Sequence, residues 1–178
     1  MFEDYLQDAY SFYSLAGEQV GLNKERQARM FFRASVFCAA SSLEAFVNFV
    51  GETFKQGGNL DKNEIAFLND RVLEVSVTKA IIEDKFKMSP IEGKIKFIIK
   101  KFAVPLDIIT SGQWRGFLEF KEFRNELIHS KSISDEKSLN EYLTKIQTGL
   151  NANIDIMNAI SMKIFNKPLR RSLVDLKI

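Results

Sequence analysis

An all-α protein is what this sequence predicts, and three observations carry the prediction. Most long segments repeat apolar residues at three and four, the helical period. Nine glycines and three prolines are all that punctuate 178 residues, which leaves room for helices of many turns. Apolar residues make up 46 % and charged residues 27 %, a globular balance that lets the chain bury its own core. One domain over residues 1–178 is therefore expected, built as an up-and-down helical bundle with additional short helices.

The elements follow in order. A first helix is predicted over Glu3 to Val20, with Tyr5, Leu6, Tyr10, Phe12, Tyr13 and Val20 as inward candidates and Gly21 with Asn23 as its break. A longer helix runs from about Lys24 to Phe54, where Phe32, Val36, Ala39, Leu43, Phe46, Val47 and Val50 form one stripe, and Gly57-Gly58-Asn59 ends it. Between Asp61 and Asp84 short helices are expected, although Val72 to Thr78 is rich in β-branched residues. Ser89-Pro90-Ile91-Glu92 reads as a capping box, with Ser89 as N-cap and Pro90 at the first position of a helix reaching about Phe102. Pro105 and Gly112 bound a connector, and Gln113 to about Ile128 forms the next helix. Ser132-Ile133-Ser134 separates it from a last long helix, roughly Asp135 to Phe165, which Pro168 closes.

Composition also excludes function classes. One Cys cannot form an intrachain disulfide, so a disulfide-stapled secreted scaffold is out and a reducing cytoplasm fits. The longest stretch without charge, Ala34 to Leu43, is ten residues, short of the roughly 20 that cross a bilayer, and no membrane span is expected. Glu3, Asp4 and Asp8 stand where a secretory signal carries positive charge, so the N-terminus reads as a mature start. No Gly-rich phosphate loop, GxSxG elbow or CxxC is present, and one His cannot make a His-x-x-x-His pair, so neither metal nor other cofactor is expected. Net charge is only +2, but six lysines lie between Lys85 and Lys101 against Glu92 alone. Lys94, Lys96, Lys100 and Lys101 in that strip are candidates for contacts to RNA phosphates, the plainer alternative being a solvated helix face.

The segment Phe120-Lys-Glu-Phe-Arg-Asn-Glu-Leu-Ile-His129 ends with the sole imidazole. On a helical wheel with Phe120 at zero, Phe123 falls at about −60°, Leu127 at about −20° and Phe117 at about 60°, and Arg124 lies at about 40°, within that apolar sector. A guanidinium stays charged and is costly to bury alone, so an acidic partner or a ligand anion is expected beside it. His129 lies near the helix C-terminus, where the helix is expected to loosen and let the ring swing toward the cleft of Arg124.

Arg124-Asn125-Glu126-Leu127-Ile128-His129 resembles the motif of the HEPN superfamily, an Arg, four to six residues, then His, with a polar residue after the Arg. Ser42-Leu43-Glu44-Ala45-Phe46-Val47-Asn48 resembles the helix that packs beside that motif in many members. The resemblance implies a HEPN-like bundle and a metal-independent ribonuclease acting as a homodimer, of the kind found in toxin-antitoxin and antiviral defence systems, with an antitoxin or another defence protein as a further partner. Carried onto this chain, it makes Arg124 and His129 catalytic, with Asn125 positioning the phosphate or the imidazole. In the subgroup paired with a nucleotidyltransferase antitoxin a Tyr stands two after the His; Ser130-Lys131 follows here, and control through that Tyr is not expected.

The chemistry of these side chains agrees. Imidazole exchanges a proton near neutral pH, and a guanidinium offers a planar fork of donors to phosphoryl oxygens. One His per chain leaves either the acid or the base unfilled, and a second subunit would supply it. Glu44, with Asn48 one turn later, is the expected support for Arg124 from the neighbouring helix. Two other classes stay open: a HEPN module that binds nucleic acid or nucleotide without turnover, and a structural interaction protein whose Arg124 is an internal ion pair.

Overall fold

In the computed structural model, which describes residues 1–76, 81–105, 107–129 and 137–178, the chain runs through α1 (Phe2–Gly21), α2 (Glu25–Gln56), α3 (Lys62–Leu68), β1 (Arg71–Ser76), β2 (Ile81–Phe86), α4 (Ile91–Lys101), α5 (Asp107–Thr110), α6 (Gly112–Ile128), α7 (Leu139–Phe165) and α8 (Arg171–Val174). The all-α class predicted from periodicity is what the backbone adopts, with one two-stranded antiparallel sheet among the described residues.

α1 and α2 form an antiparallel pair. Phe2 packs on Phe46 and Phe49, the Ser35 hydroxyl donates to the Ala9 carbonyl at 2.7 Å, and Phe12 and Tyr13 meet Phe31 and Phe32. The reversal needs a left-handed residue, which Asn23 supplies at φ 55°. Of the inward candidates on α1 only Leu6 is fully buried; Ala9 and Ala16 take the other core positions, and Tyr10 is 37 % exposed. Alanines let two helix axes approach closely, which moves the larger rings to the flanks of the contact.

The stripe predicted on α2 is buried throughout, from Phe32 to Val50. By length and composition α2 would also qualify as a membrane-crossing helix, which the count of charge-free residues did not anticipate. Half of its most apolar window is covered by the rest of the bundle. α7 runs parallel to α2: Phe32 stacks on Tyr142 with centroids 5.6 Å apart, Asn153 donates to the Ala39 carbonyl, and Phe49 and Phe54 meet Phe165. α6 then lies antiparallel on α7, with Gly116 against Thr148, Phe120 against Gly149 and Phe123 edge-on to Tyr142. Ser111 and Ser138 cap α6 and α7 through their hydroxyls, which accept from the Trp114 and Glu141 amides.

Two local expectations are corrected. Only the first part of Asp61 to Asp84 is helical: α3 carries a full capping box between Asp61 and Glu64, and then β1 and β2 pair antiparallel with Arg71 opposite Phe86 and Glu74 opposite Glu83. β-branched residues suit the pleat, and the cross-strand ion pairs Arg71–Asp84 and Lys85–Glu74, both 2.7 Å, bridge the two strands in this register. Pro90, not Ser89, is the N-cap of α4, because the Ser89 amide donates to Asp70 Oδ1 at 2.7 Å and the Glu92 carboxylate reaches across to Lys121. The connector after Pro105 contains the single turn α5. Thr78, the break at Ser132 to Ser134, the helix start at Asp135 and the Ser130-Lys131 pair lie outside the described residues.

Candidate functional site

Phe117, Phe120 and Phe123 point into the core from α6, and the position after Phe123 is carried to the edge of that stripe, where α6 faces α2 and the start of α4. There Arg124 lines a cavity of about 440 Å³. α2 contributes Ala40, Leu43, Glu44 and Asn48; the hairpin base and α4 contribute Asp70, Met88, Ser89, Pro90, Ile91 and Lys94. Lys121 and Asn125 join Arg124 and the two rings Phe117 and Phe120 from α6, and α7 adds Asn153. The volume falls in the range of small-molecule sites.

Charge in this cavity is mostly matched. Lys94 is 5 % exposed and pairs with Asp70 at 2.7 Å, while Asp70 also accepts from the Ser89 amide and holds a left-handed φ of 56°. Lys121 pairs with Glu92 at 2.7 Å; that hydrogen bond keeps the Glu92 carboxyl below its usual range and raises the Lys121 ammonium. Arg124 differs. Its Nη1 donates to Asn125 Oδ1 at 3.2 Å, its buried Nε has no hydrogen-bond partner, and no carboxylate pairs with it among the described residues. Glu44 is exposed at the opposite wall and likewise enters no ion pair among the described residues. Asn153 is 1 % exposed; its Nδ2 donates to the Ala39 carbonyl at 2.8 Å and its Oδ1 has no partner.

The fold thus brings Arg124, Asn125, Glu44, Asn48 and Lys94 around one cavity. His129 is not among its lining residues. α6 stays regular through Ile128, and His129 is its exposed C-cap, with the backbone N–H donating to the Asn125 carbonyl at 2.9 Å. Five residues along a regular helix turn a side chain by about 140°, so the ring and the guanidinium of one chain leave α6 in different directions. The expected loosening before His129 is absent.

The lysine strip divides. Lys94 is inside the cavity wall, Lys101 is held by both carboxylate oxygens of Glu64 at 2.7 and 2.8 Å, and Lys85 is held by Glu74 and Glu83. Lys96 and Lys100 face solvent, the former with its ammonium 5.6 Å above the Trp114 ring. A second basic surface was not read from the sequence: Glu25, Arg26, Arg29 and Arg33 line a shallow groove at the start of α2. Arg29 donates to the Lys137 carbonyl, and Lys137 pairs with Glu126, one turn before His129. The arginine groove and the sole imidazole therefore share one end of the bundle.

Lys121, Asp70 and Asn153 also escaped the sequence reading. Asn153 had a signal, since it interrupts the apolar stripe Ile146, Leu150, Met157 and Ile160 at helical spacing, the same anomaly that singles out Arg124. Asp70 had none. Among the described residues no three His, Cys, Asp or Glu side chains stand close enough to hold a metal ion. Compared with protein-family models, curated proteins and solved structures, the chain finds no match.

Proposed function

We propose that the protein is a metal-independent endoribonuclease of the HEPN type, a cytoplasmic homodimer serving as a toxin or defence effector. The observation that carries this is Arg124: a guanidinium with no carboxylate partner among the described residues, lining a cavity, on the helix that ends in the only imidazole of the chain. The arginine groove beside His129 supports a polyanionic substrate.

In this reaction the RNA 2′-OH attacks its own phosphorus. Its proton passes to one imidazole, the bond from phosphorus to the 5′ oxygen breaks, and a second imidazole protonates the leaving oxygen. Arg124 holds the phosphoryl oxygens, whose charge rises in the transition state, and its partly dehydrated setting strengthens that contact. The products are a 2′,3′-cyclic phosphate and a 5′-hydroxyl. Because His129 and Arg124 of one chain diverge, the second protomer supplies the missing imidazole, and Asn125 steadies the guanidinium through its Oδ1.

The position of His129 outside the cavity favours one other reading, a module that binds RNA or nucleotide without cutting it. The two separate on purified protein incubated with RNA. The nuclease cuts in EDTA, stops at a site whose ribose is replaced by deoxyribose, and loses roughly 10²- to 10⁴-fold in rate on His129→Ala. Activity that survives His129→Ala, or that EDTA abolishes, would falsify the nuclease reading and leave the binding module.

A further inference from the structure

Five charged side chains line the cavity: Glu44, Asp70, Lys94, Lys121 and Arg124. Two of the bases are neutralised by neighbours, Lys94 by Asp70 and Lys121 by Glu92. What remains is one acid and one base, Glu44 on α2 and Arg124 on α6, which border the same space and do not reach each other within ion-pair distance. A ligand that bridges them needs an acceptor group for the guanidinium and a pair of donors for the carboxylate. Leu43, Phe117, Phe120 and Ile91 line the same cavity and give it apolar wall beside the charged pair, as a flat ring needs.

We propose that this cavity binds a guanine nucleotide of the RNA substrate, with Glu44 on the base and Arg124 on the phosphate. The inference rests on the ribonuclease reading and deepens it to substrate choice. An ionised carboxylate only accepts hydrogen bonds, and among the four RNA bases guanine alone sets two donors side by side, its N1–H and its 2-amino group. Uracil has one ring N–H flanked by carbonyls, cytosine and adenine one amino group beside a bare ring nitrogen. Asn48, one helical turn from Glu44 on the same wall, carries an amide N–H able to donate to the guanine 6-oxo group. Asn153 Oδ1, buried and without a partner, makes the cavity floor receptive to one further donor, such as a ribose hydroxyl or a water that it holds. A base read this way leaves its stack, as sequence-specific recognition of single-stranded RNA requires.

Binding is measured apart from cleavage, by calorimetric titration of the whole protein with GMP, AMP, CMP, UMP, IMP and guanosine. GMP should bind about tenfold more tightly than each of the other three standard monophosphates, because only guanine meets the Glu44 carboxylate with two charge-assisted hydrogen bonds at once. IMP, which lacks only the 2-amino group, should fall between. Glu44→Gln should erase the preference for GMP over IMP, and Arg124→Lys should weaken all the monophosphates while leaving guanosine unchanged. Glu44 is exposed, so its substitution leaves the fold standing, and a retained circular-dichroism signal checks this. Equal affinity for the four standard monophosphates, or no binding of any, overturns the site. Guanine selectivity in a protein that cuts no RNA overturns the ribonuclease reading and keeps the site. RNA cleavage indifferent to guanosine, with equal affinities, does the reverse.

Discussion

Phe120 lies against Gly149 so closely that a Cβ at position 149 would stand 2.1 Å from the ring. α6 can approach α7 only because α7 has no side chain there, and the same ring forms part of the cavity wall. Gly149→Ala should cost about 1–3 kcal/mol, the usual penalty for overpacking a filled core. Urea unfolding of Gly149→Ala, Phe120→Ala and the double variant measures it, since Phe120→Ala removes the ring atoms the new methyl would meet; the double variant should recover part of the loss, and purely additive costs would show that the two residues do not compete for one space.

The Glu92–Lys121 bond ties α4 to α6 and should make stability depend on pH at both ends. Glu92 has its pKa lowered by the Lys121 hydrogen bond, so the stabilisation it gives is present above the ordinary carboxylate pKa and is lost as pH falls through the folded value. Lys121 is raised by the same bond, so its share is present below the ordinary lysine pKa and is lost as pH rises through the folded value. The difference in urea midpoint between wild type and Glu92→Gln should therefore shrink once pH drops below about 4. A difference that stays constant from neutral to acid pH would mean that the bond contributes nothing in solution.

Of the four lysines expected to meet phosphate, Lys96 and Lys100 are the ones facing solvent without a carboxylate partner among the described residues. Changing both to Gln should flatten the slope of log K against log salt for RNA binding by about 1.4, the counterions of two single-strand phosphates. Lys94→Gln should act through lower stability instead, since it strands Asp70 at the hairpin base. An unchanged slope in the Lys96 and Lys100 variant would move the RNA path to the arginine groove on α2.

A nuclease that needs two imidazoles from chains with one His each must pair. Sedimentation at tens of micromolar should show a dimer, and adding excess His129→Ala protein to wild type should lower the activity per wild-type chain, because each mixed dimer holds one imidazole instead of two. A monomer with full activity would show that one chain completes the chemistry alone.

Helix spacing made the bundle legible. The α2 stripe, the extent of α6 and the anomaly of Arg124 all follow from a period of 3.6, which sequence displays directly. What sequence hid was competition. Val72, Leu73 and Val75 suit a helix or a strand, and as a strand they pair with a segment about ten residues on, which local spacing does not display. Ser89 and Glu92 have the spacing of a capping box, yet Asp70 takes the Ser89 amide and Lys121 takes the Glu92 carboxylate, each from a distant segment. The site was half legible for the same reason: Arg124 is visible as a misfit on its helix and Glu44 as the flank of the Leu43 stripe, whereas Asp70 acquires its role only once the hairpin closes beside α4.

The parallel contact of α2 with α7 also carries a cost in chain entropy that favours one order of closure. Ser35 and Ala9, joined across the α1–α2 turn, are 26 residues apart, whereas Asn153 and Ala39 are 114 apart. Closing the longer loop costs about 1.3 kcal/mol more in chain entropy. The α1–α2 pair can therefore collapse on its own early contacts, while Tyr142 and Asn153 join it only after the hairpin, α4 and α6 have been brought along. The cavity has walls from α2, α4, α6 and α7, so its last wall is set by the longest closure, and a chain halted before α7 docks holds Arg124 without the completed cavity around it.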